Sequence, residues 1–423
     1  MQPKRFINYI LQQMKNVFSF FLTLALSVGT VWADTPEIVT VAEALSIGDT
    51  LAANTTSEQI YSVDGYVVAA EAYSSQYNNQ NFWLVDQLGG AGLPLYVYRG
   101  KTQTPVQYGY RVRFDFKIQN YGSNHIIEAL NAYVVIAETT VPATDHIFSG
   151  NCGAQGNNLT WQLNARTGQL TVAGSGEMVD SVGYVPWQRQ NMKYMVRKAT
   201  LPLGMTNIGI SAFDNCTNLD SVVIPDGVTK IGKWAFYNCK SLTTLNMPES
   251  VDSIGIPAFN GCSLTDPLYN SRLFCFLPTA YSGSYTIPDG IRSVISYAFD
   301  GRSGVTEIVL PASVRHISYR TFRNCTGLQS MTCHATTPPA CHYEEYFDGV
   351  DKTIPLYVPA ESILLYRQAT GWSEFTNILP IPGSGVEQIT DDQSPKTNKL
   401  LRDGRLTIQH GGRTYSVSGQ ELK

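Results

Sequence analysis

The sequence feature that most constrains the fold is a pair of landmarks repeated at one shared spacing. The first landmark is an apolar residue followed four or five residues later by Ala-Phe or Thr-Phe, and it starts at Ile208, Ile231, Ile254, Val294 and Ile317. The second is an apolar residue before proline, at Pro202, Pro225, Pro248, Pro288 and Pro311. Both series advance by 23, 23, 40 and 23 residues. Because the two series agree at every step, chance is excluded, and the period predicts a solenoid whose units bury their apolar faces against neighbours.

One unit illustrates the internal pattern. Val222 and Ile224 are predicted to face inward from a short strand, while Ser221 and Val223 face solvent, because side chains alternate along a strand. The segment Pro225-Asp226-Gly227 supplies turn chemistry that ends the strand. The phenylalanine of the first landmark then packs a further turn, and the asparagine after it hydrogen-bonds nearby backbone. Stacked units predict a continuous core in which the landmark phenylalanines occupy equivalent buried sites.

The 40-residue interval marks an irregular third unit. Its 17 additional residues lie between Phe259 and Pro288. Within them, Leu268–Leu277 is apolar at both ends and carries Asn270-Ser271 near its middle. This pattern predicts a hairpin that turns near those two residues.

Six of the eight cysteines fall into two kinds of placement. One set holds the same place in successive units, which predicts reduced thiols packed in one column: Cys216, Cys239, Cys262 and Cys325. In the other set each cysteine is followed by histidine, and a zinc donor set is one interpretation: Cys333, His334, Cys341 and His342. Because that spacing matches no tight zinc motif, a local disulfide or two buried thiols is favoured, and no metal or cofactor is predicted.

These repeats resemble the BspA-like leucine-rich-repeat proteins, which are surface and secreted proteins of Gram-negative gut and oral anaerobes. The resemblance covers residues 149–381, a solenoid with entry and exit caps. The entry segment is carried by Gly153, Asn158–Trp161, Gly168–Thr171, Gly174–Met178 and Pro186-Trp187. The exit segment is carried by Thr336–Pro339, Leu356–Pro359, Tyr366, Trp372 and Phe375. The resemblance implies an exported surface protein and a role in adhesion, including adhesion to host matrix proteins.

Within the exit segment, Ala360–Ala369 has the pattern of an amphipathic helix, with Ile363, Leu364 and Tyr366 predicted to face inward. Trp372, Phe375 and Ile378 are predicted to seal the last open coil, as any solenoid requires.

Residues 34–140 are predicted to form a separate domain. A short helix at Thr40–Ile47 precedes five extended runs, at Ile60–Ala70, Asn81–Asp86, Leu93–Arg99, Tyr110–Ile118 and Ile126–Ile136. Five strands with Gly65 in the first resemble an OB-fold-like β-barrel. The fold class is therefore mainly β: an OB-like barrel, a linker at residues 141–148, and a leucine-rich-repeat solenoid with units of about 23 residues.

The two ends of the chain have their own signatures. Residues 1–33 are predicted to be a signal peptide that starts naturally at Met14 and is cleaved after Ala33, because a run of about a dozen apolar residues follows Lys15. Nothing later is long and apolar enough to span a membrane. Residues 382–423 are predicted to be a linker and a β-hairpin tail, with strands at Leu401–Ile408 and Thr414–Gln420. The tail resembles the short C-terminal modules of exported proteins in these bacteria, and some related tails are type IX sorting signals. A small stabilising hairpin or a frayed end is an equally open interpretation.

Charge and motifs restrict the function. The barrel candidate has 5 basic and 11 acidic residues, which excludes a phosphate-binding face. Its aromatic residues are predicted to fill the barrel, with stacking on a ligand as the alternative: Tyr66, Phe82, Trp83, Tyr96 and Tyr98. No hydrolase, phosphate-loop or dinucleotide motif is present, so the chain is predicted to be non-enzymatic.

Two binding hypotheses follow. In the first, the solenoid is an adhesin for a protein on a host or matrix surface. Two variable columns after the first landmark are predicted to point outward: Ile210/Ser211, Lys233/Trp234, Ile256/Pro257, Ser296/Tyr297 and Tyr319/Arg320. They give an aromatic stripe made of Trp234, Tyr237, Tyr297, Tyr319 and Arg320, which are residue types that dominate interface energies. In the second, the barrel is a glycan-binding or scaffold module.

Overall fold

The computed structural model describes residues 36–121, 126–130, 132–181, 185–341, 345–382, 398–402, 405–410, 413–416 and 421–422. The predicted signal peptide lies outside these residues, as does most of the predicted linker before the tail. Among the described residues, no helix is long and apolar enough to cross a membrane.

The N-terminal domain begins with one helix, α1 (Val41–Thr50). The Thr40 side chain accepts a hydrogen bond from the Glu43 backbone N–H, and the Glu43 carboxylate accepts one from the Thr40 N–H, so a capping box starts the helix. The strands are β1 (Glu37–Ile38), β2 (Thr55–Thr56), β3 (Tyr61–Ala70), β4 (Asn79–Val85), β5 (Leu95–Lys101), β6 (Arg111–Tyr121), β7 (Ile126–Leu130) and β8 (Val135–Glu138).

The five longer strands of this domain pair in a closed circuit. β3 pairs antiparallel with both β4 and β6, β4 pairs antiparallel with β5, and β6 pairs antiparallel with β7. The circuit is completed by β5 and β7, which run parallel. Alternate residues of these strands form one buried core, including Val63, Phe82, Leu84, Val97 and Phe114.

A three-stranded antiparallel meander leads into the solenoid. It consists of β9 (Ile147–Gly153), β10 (Gly156–Asn164) and β11 (Gln169–Gly174), and it continues in parallel with β12 (Lys198–Thr200). A kinked 3-10 segment, Pro186–Tyr194, lies between β11 and β12. β9 begins at Ile147, inside the segment predicted as a linker, and Phe148 is already buried.

The N-terminal domain packs directly on this meander. Trp83 and Tyr96 share a buried cluster with Trp161 and Trp187 of the solenoid entry. The Trp83 Nε1–H donates to the Gln190 carbonyl oxygen at 2.7 Å. A shared apolar cluster and a buried hydrogen bond therefore join the two parts of the chain.

The solenoid coils contribute short parallel strands to two faces. One face carries β14 (Ser221–Val222), β19 (Gly283–Thr286), β21 (Val305–Leu310) and β23 (Ser330–Cys333). The other carries β13 (Asn207–Ile208), β15 (Lys230–Ile231), β16 (Ser253–Ile254), β17 (Leu268–Tyr269), β18 (Leu273–Phe276), β20 (Ser293–Val294), β22 (His316–Ile317) and β24 (Ala340–Cys341). Val222 and Ile224 are buried while Ser221 and Val223 are exposed, which confirms the predicted alternation.

The predicted hairpin of the third unit is present. Its second strand is also part of a shortened coil that stacks on the next unit. β17 and β18 pair antiparallel around Asn270. β18 then pairs parallel with β20, with Phe274 opposite Val294. The 40-residue interval therefore contains a coil that lacks the landmark sequence.

Aromatic rings form two stacked columns inside the solenoid. The first runs from Trp161 through Trp187, Phe213 and Phe236 to Phe259, with ring centroids 5.2 to 6.1 Å apart. The second runs from Phe274 through Phe299, Phe322 and Phe347 to Trp372, with spacings of 5.1 to 5.4 Å. Phe236 and Phe299 are fully buried, as predicted. Phe347 belongs to one more coil that the landmarks did not reveal, and we call it the sixth coil because the shortened coil is counted separately.

The repeated cysteines lie in a column beside these rings. Cys239, Cys262 and Cys325 are buried, and each thiol donates to the carbonyl of the landmark phenylalanine one coil earlier, at 3.0 to 3.1 Å. In the coil after the shortened one, Arg302 occupies the position that cysteine holds in the other coils. Its Nε–H donates to the Leu277 carbonyl at 2.7 Å, and it is almost fully buried. The predicted cysteine column is confirmed, with one guanidinium inserted in it.

The exit cap closes the second ring column. It contains β25 (Leu356–Val358), the 3-10 turns Ala360–Ser362 and Trp372–Glu374, α2 (Ile363–Gln368) and β26 (Ile378–Pro380). Trp372 and Phe375 are buried as predicted, and the Tyr366 hydroxyl donates to the Ala335 carbonyl. The inward placement predicted for Leu364 is wrong: its side chain is 69% exposed, and Ile363 and Tyr366 form the packed side of the helix.

The tail is a four-stranded antiparallel sheet rather than a hairpin. Its strands are β27 (Asn398–Arg402), β28 (Arg405–His410), β29 (Arg413–Ser416) and β30 (Glu421–Leu422). The segment Leu401–Ile408, predicted as one strand, contains the end of β27 and the start of β28, which pair antiparallel.

Candidate functional site

The predicted stripe residues lie on the turns that follow the short strands of the second solenoid face. Trp234, Tyr237, Tyr297, Tyr319 and Arg320 are all half-buried, so part of each side chain remains available to a partner. Trp234, Tyr297 and Arg320 have φ of 57°, 64° and 53°. Bulky residues rarely adopt this left-handed backbone, which costs free energy that the surrounding coils must offset.

The stripe is divided into two groups of contacts. In the first, the Lys233 ammonium lies 3.9 Å from the centre of the Trp234 ring, a cation–π contact. The second group lies in the coils after the shortened coil. The third unit stands between the two groups and presents Ile256 and Pro257 where its neighbours carry aromatic or basic residues.

The second group forms a connected cluster, which we name the tyrosine–arginine cluster; it consists of Tyr297, Tyr319, Arg320, Arg323, Asp300 and Glu345. The Tyr297 and Tyr319 rings meet edge to face at 5.8 Å. Arg320 lies 4.7 Å from the Tyr319 ring centre, and Arg323 lies 5.4 Å from the Tyr297 ring centre. Each ring is therefore in contact with a guanidinium.

Carboxylates fix both guanidinium groups. The Arg323 Nε and Nη2 donate to the two Asp300 oxygens at 2.7 and 2.8 Å, a bidentate pair. Arg320 Nε donates to Glu345 Oε2, and the Tyr319 hydroxyl donates to the same oxygen at 3.3 Å. The hydrogen bond from Arg320 holds the pKa of Glu345 below its ordinary value. The hydrogen bond to Asp300 raises the pKa of Arg323, so this guanidinium keeps its charge at neutral pH.

The repeat pattern predicted the two tyrosines and Arg320, but three members of the cluster were not predicted: Asp300, Arg323 and Glu345. Asp300 and Arg323 each follow a landmark phenylalanine and are 23 residues apart, so the repeat register was a signal that places them side by side. Glu345 lies in the sixth coil, whose landmark is hidden. Two predicted outward positions are wrong, because Ser211 and Ser296 are buried against neighbouring coils.

The first solenoid face, which carries β14, β21 and β23, is more polar than the face with the stripe. Ser221, Thr244 and Asn246 are exposed, while Glu307, Ser330 and Thr332 are half-buried. The Asn246 side chain accepts from the Ile224 N–H and donates to the Ile224 carbonyl. This asparagine therefore satisfies the backbone of the preceding coil, where the β-ladder is interrupted.

The aromatic residues of the N-terminal domain occupy two environments. Phe82 lies in the domain core, whereas Trp83 and Tyr96 are buried against the solenoid entry. Tyr66 and Tyr98 are partly buried at the edge of that contact. Most of the predicted stacking surface is thus covered by the chain itself.

The zinc interpretation finds no support in the part of the donor set that the structure describes. Cys333 is buried with its Sγ 3.1 Å from the Tyr366 hydroxyl oxygen, while the adjacent His334 is exposed. Burial raises the pKa of Cys333 to about 11, which disfavours the thiolate that metals require. His342 lies outside the described residues. Among those described, no group of three or more candidate ligands converges.

Comparison with known proteins agrees with the coil geometry. Residues 191–269 and 270–343 match the BspA type leucine rich repeat region, in six copies. A repeat region of this type fits a binding or adhesion role, and no catalytic family is indicated. None of the curated proteins matches the chain.

Several solved structures are similar at low identity. A leucine-rich repeat protein from Eubacterium ventriosum is 18% identical, with 55% of this chain and 85% of that chain covered and a TM-score of 0.27. The T. pallidum leucine rich repeat protein is 18% identical, with 48% and 91% covered and a TM-score of 0.26. A leucine rich cell surface protein from Faecalibacterium prausnitzii is 17% identical, with 56% and 95% covered and a TM-score of 0.19.

Proposed function

We propose that the chain is an exported, non-enzymatic adhesion protein that binds a protein on a host or matrix surface through the tyrosine–arginine cluster. The observation that carries the proposal is the network of Tyr297, Tyr319 and Arg320 on one solenoid face. Tyrosine and arginine are enriched among the residues that contribute most to binding energy. The partner's own acidic and aromatic groups would meet the exposed parts of these side chains.

The internal contacts of the cluster favour binding because they reduce the cost of ordering. An arginine that is free in solution loses side-chain entropy when a partner immobilises it, at about 0.5–1.5 kcal/mol per side chain. Arg320 and Arg323 are already held by Glu345 and Asp300. The aromatic rings stack against them, so the surface is organised before a partner arrives.

The test compares a Tyr297→Ala, Arg320→Ala double variant with the unaltered chain in binding to immobilised matrix proteins and to intact host cells. Tyr357→Ala is the matched control, because Tyr357 is a half-buried tyrosine on the other face, in β25. We expect the double variant to lose at least about tenfold in affinity, while the control binds normally. Equal binding by the double variant, with its fold verified by circular dichroism, rejects the cluster as the adhesive surface. A separate Trp234→Ala variant tests whether the first group takes part.

The remaining parts of the proposal concern organisation. We propose that residues 34–140 form an OB-fold-like barrel, supported by the closed strand circuit in which β5 and β7 run parallel and β3 pairs with β6. We propose that residues 1–33 are removed on export from a Gram-negative cell. N-terminal sequencing of the exported protein checks the cleavage, with Asp34 as the expected first residue.

A further inference from the structure

A cleft of about 960 Å³ opens where the N-terminal domain meets the solenoid entry. The N-terminal domain supplies β3, β4, β5 and the loop Pro105–Tyr108, and the solenoid supplies Arg166, Arg197 and the turn at Thr217-Asn218. The volume lies within the range of sites that bind small molecules and short oligomers. Because both parts of the chain contribute walls, the cleft exists only in the assembled fold.

Aromatic rings line one side of the cleft in a row. Trp83 and Tyr96 have ring centroids 5.1 Å apart, and Tyr96 and Tyr98 are 6.5 Å apart. Trp83 and Tyr96 are buried, whereas Tyr98 is only half-buried and presents the accessible end of the row. Tyr194 and Tyr108, also half-buried, line the cleft from the solenoid entry and the loop. Ligand contact is thus available mainly on tyrosine rings with polar hydroxyl ends.

A polar group is fixed beside this row. The Asn81 Nδ2–H donates to Glu71 Oε2 at 3.0 Å, and Asn81 Oδ1 accepts from the Arg99 backbone N–H at 2.8 Å. Asn81 therefore holds the Glu71 carboxylate in a set orientation at the cleft wall. Burial raises the pKa of Glu71, which agrees with a carboxylate whose charge is incompletely compensated by its surroundings.

We propose that this cleft is a binding site for an uncharged oligosaccharide. Tyrosine rings offer flat apolar faces to the C–H faces of sugar rings, and their hydroxyls and edges remain polar. Glu71, Asn81 and Arg166 provide planar groups that bond to neighbouring hydroxyls in pairs. The site is independent of the tyrosine–arginine cluster, since the two share no residue.

Other ligand classes fit the cleft less well. The charged side chains that line it are Glu71, Arg166 and Arg197, and Arg166 is paired with Asp145 at 3.5 Å. A nucleic-acid strand needs a strongly basic groove. An extended peptide would add to a free strand edge, but β4 and β5 are each paired on both sides in the strand circuit.

The test measures binding of the full chain to a panel of defined tetrasaccharides: linear gluco-, manno-, galacto- and N-acetylglucosamine oligomers, with a hyaluronan tetrasaccharide as the charged comparison. We expect at least one uncharged member to bind, and Tyr98→Ala and Glu71→Gln to weaken it about tenfold or more. The matched control is Tyr133→Ala, because Tyr133 is 74% exposed in the same domain outside the cleft.

Thermal unfolding of each variant verifies that the fold is kept before binding is compared. Three results overturn the proposal: no tetrasaccharide binds, only hyaluronan binds, or binding is the same in Tyr98→Ala and the unaltered chain. Binding to a random peptide library that Tyr98→Ala abolishes, without sugar binding, assigns the cleft to peptides instead. The Tyr297→Ala, Arg320→Ala variant should keep its sugar binding, so the cleft and the adhesion proposal fail or succeed separately.

Discussion

Replacing Glu128 by Gln should make the protein more stable above neutral pH. Glu128 lies on β7 opposite Tyr96 of β5, on the face that packs against the Pro186–Tyr194 segment, and it is 6% exposed. Burial raises the pKa of Glu128 to about 7 from its ordinary value of 4.5. Below the ordinary value the carboxyl group is protonated in both the folded and the unfolded chain. Between the two values the unfolded chain ionises while the folded chain stays protonated, so stability falls as the pH rises from about 4.5 to about 7, and above 7 the folded chain carries the buried charge.

The size of the effect follows from the two pKa values. Each pH unit between them corresponds to about 1.36 kcal/mol, so the carboxylate costs up to about 3 kcal/mol at pH 8. Gln keeps the shape of the side chain but does not titrate. We therefore expect the stability advantage of Glu128→Gln to grow by about 2 kcal/mol between pH 5 and pH 8.

Urea denaturation at pH 5, 6, 7 and 8 measures this difference, with tryptophan fluorescence as the signal. Glu71, Tyr96 and Tyr194 also line this junction, and the tyrosines stay neutral over the range used because burial raises the pKa of both. The control is Asp115→Asn, which removes an exposed carboxylate of the same domain. If Glu128→Gln and Asp115→Asn show the same pH dependence, the junction does not bury an ionisable carboxylate, and the reasoning is wrong.

Three further predictions concern the solenoid core. Phe236→Ala should cost about 3–5 kcal/mol of unfolding free energy, because the ring is fully buried and stacked between Phe213 and Phe259; an unchanged melting temperature would show that the coil register is wrong. Cys239 and Cys262 should be reduced in the native protein, and mass spectrometry after non-reducing digestion should find no bond between them in quantity. Arg302→Ala should cost about 2–4 kcal/mol, because it leaves a cavity and removes the donor from the Leu277 carbonyl; a loss below about 1 kcal/mol in urea denaturation would contradict that role.

The repeat spacing predicted the coil register because each coil must present the same apolar residues to its neighbours. The turn after each landmark phenylalanine is also predicted by residue type, because every coil needs the same backbone conformation there. Two residues beyond it the backbone is left-handed, and the position holds Asn or Gly throughout: Asn215, Asn238, Gly261, Gly301, Asn324 and Gly349. Asn and Gly tolerate positive φ better than other residues, so the residue type at this position predicts the left-handed conformation.

The shortened coil and the sixth coil were hidden for a different reason. Burial requires only an apolar side chain of suitable volume, and residue types other than those of the landmark also meet this requirement. Phe274 lies opposite Val294 in the ladder, and Cys341 lies opposite Ile317. In the sixth coil, Tyr346 precedes Phe347 where other coils place Ala or Thr. Packing therefore preserved the coils while the sequence pattern changed.

The candidate surfaces depended on contacts between segments far apart in the chain, which spacing does not encode. Glu345 reaches Arg320 only because an extra coil stacks after Ile317, and the cleft requires the solenoid entry to cover the outer face of β4 and β5.

The shortened coil divides the solenoid core. One ring column ends at Phe259 and another starts at Phe274, and the buried apolar residues form separate clusters on either side. The cleft adjoins the first cluster and the tyrosine–arginine cluster adjoins the second. Residues in separate packing units influence each other weakly. We therefore expect a partner on the second segment to leave ligand binding in the cleft unchanged.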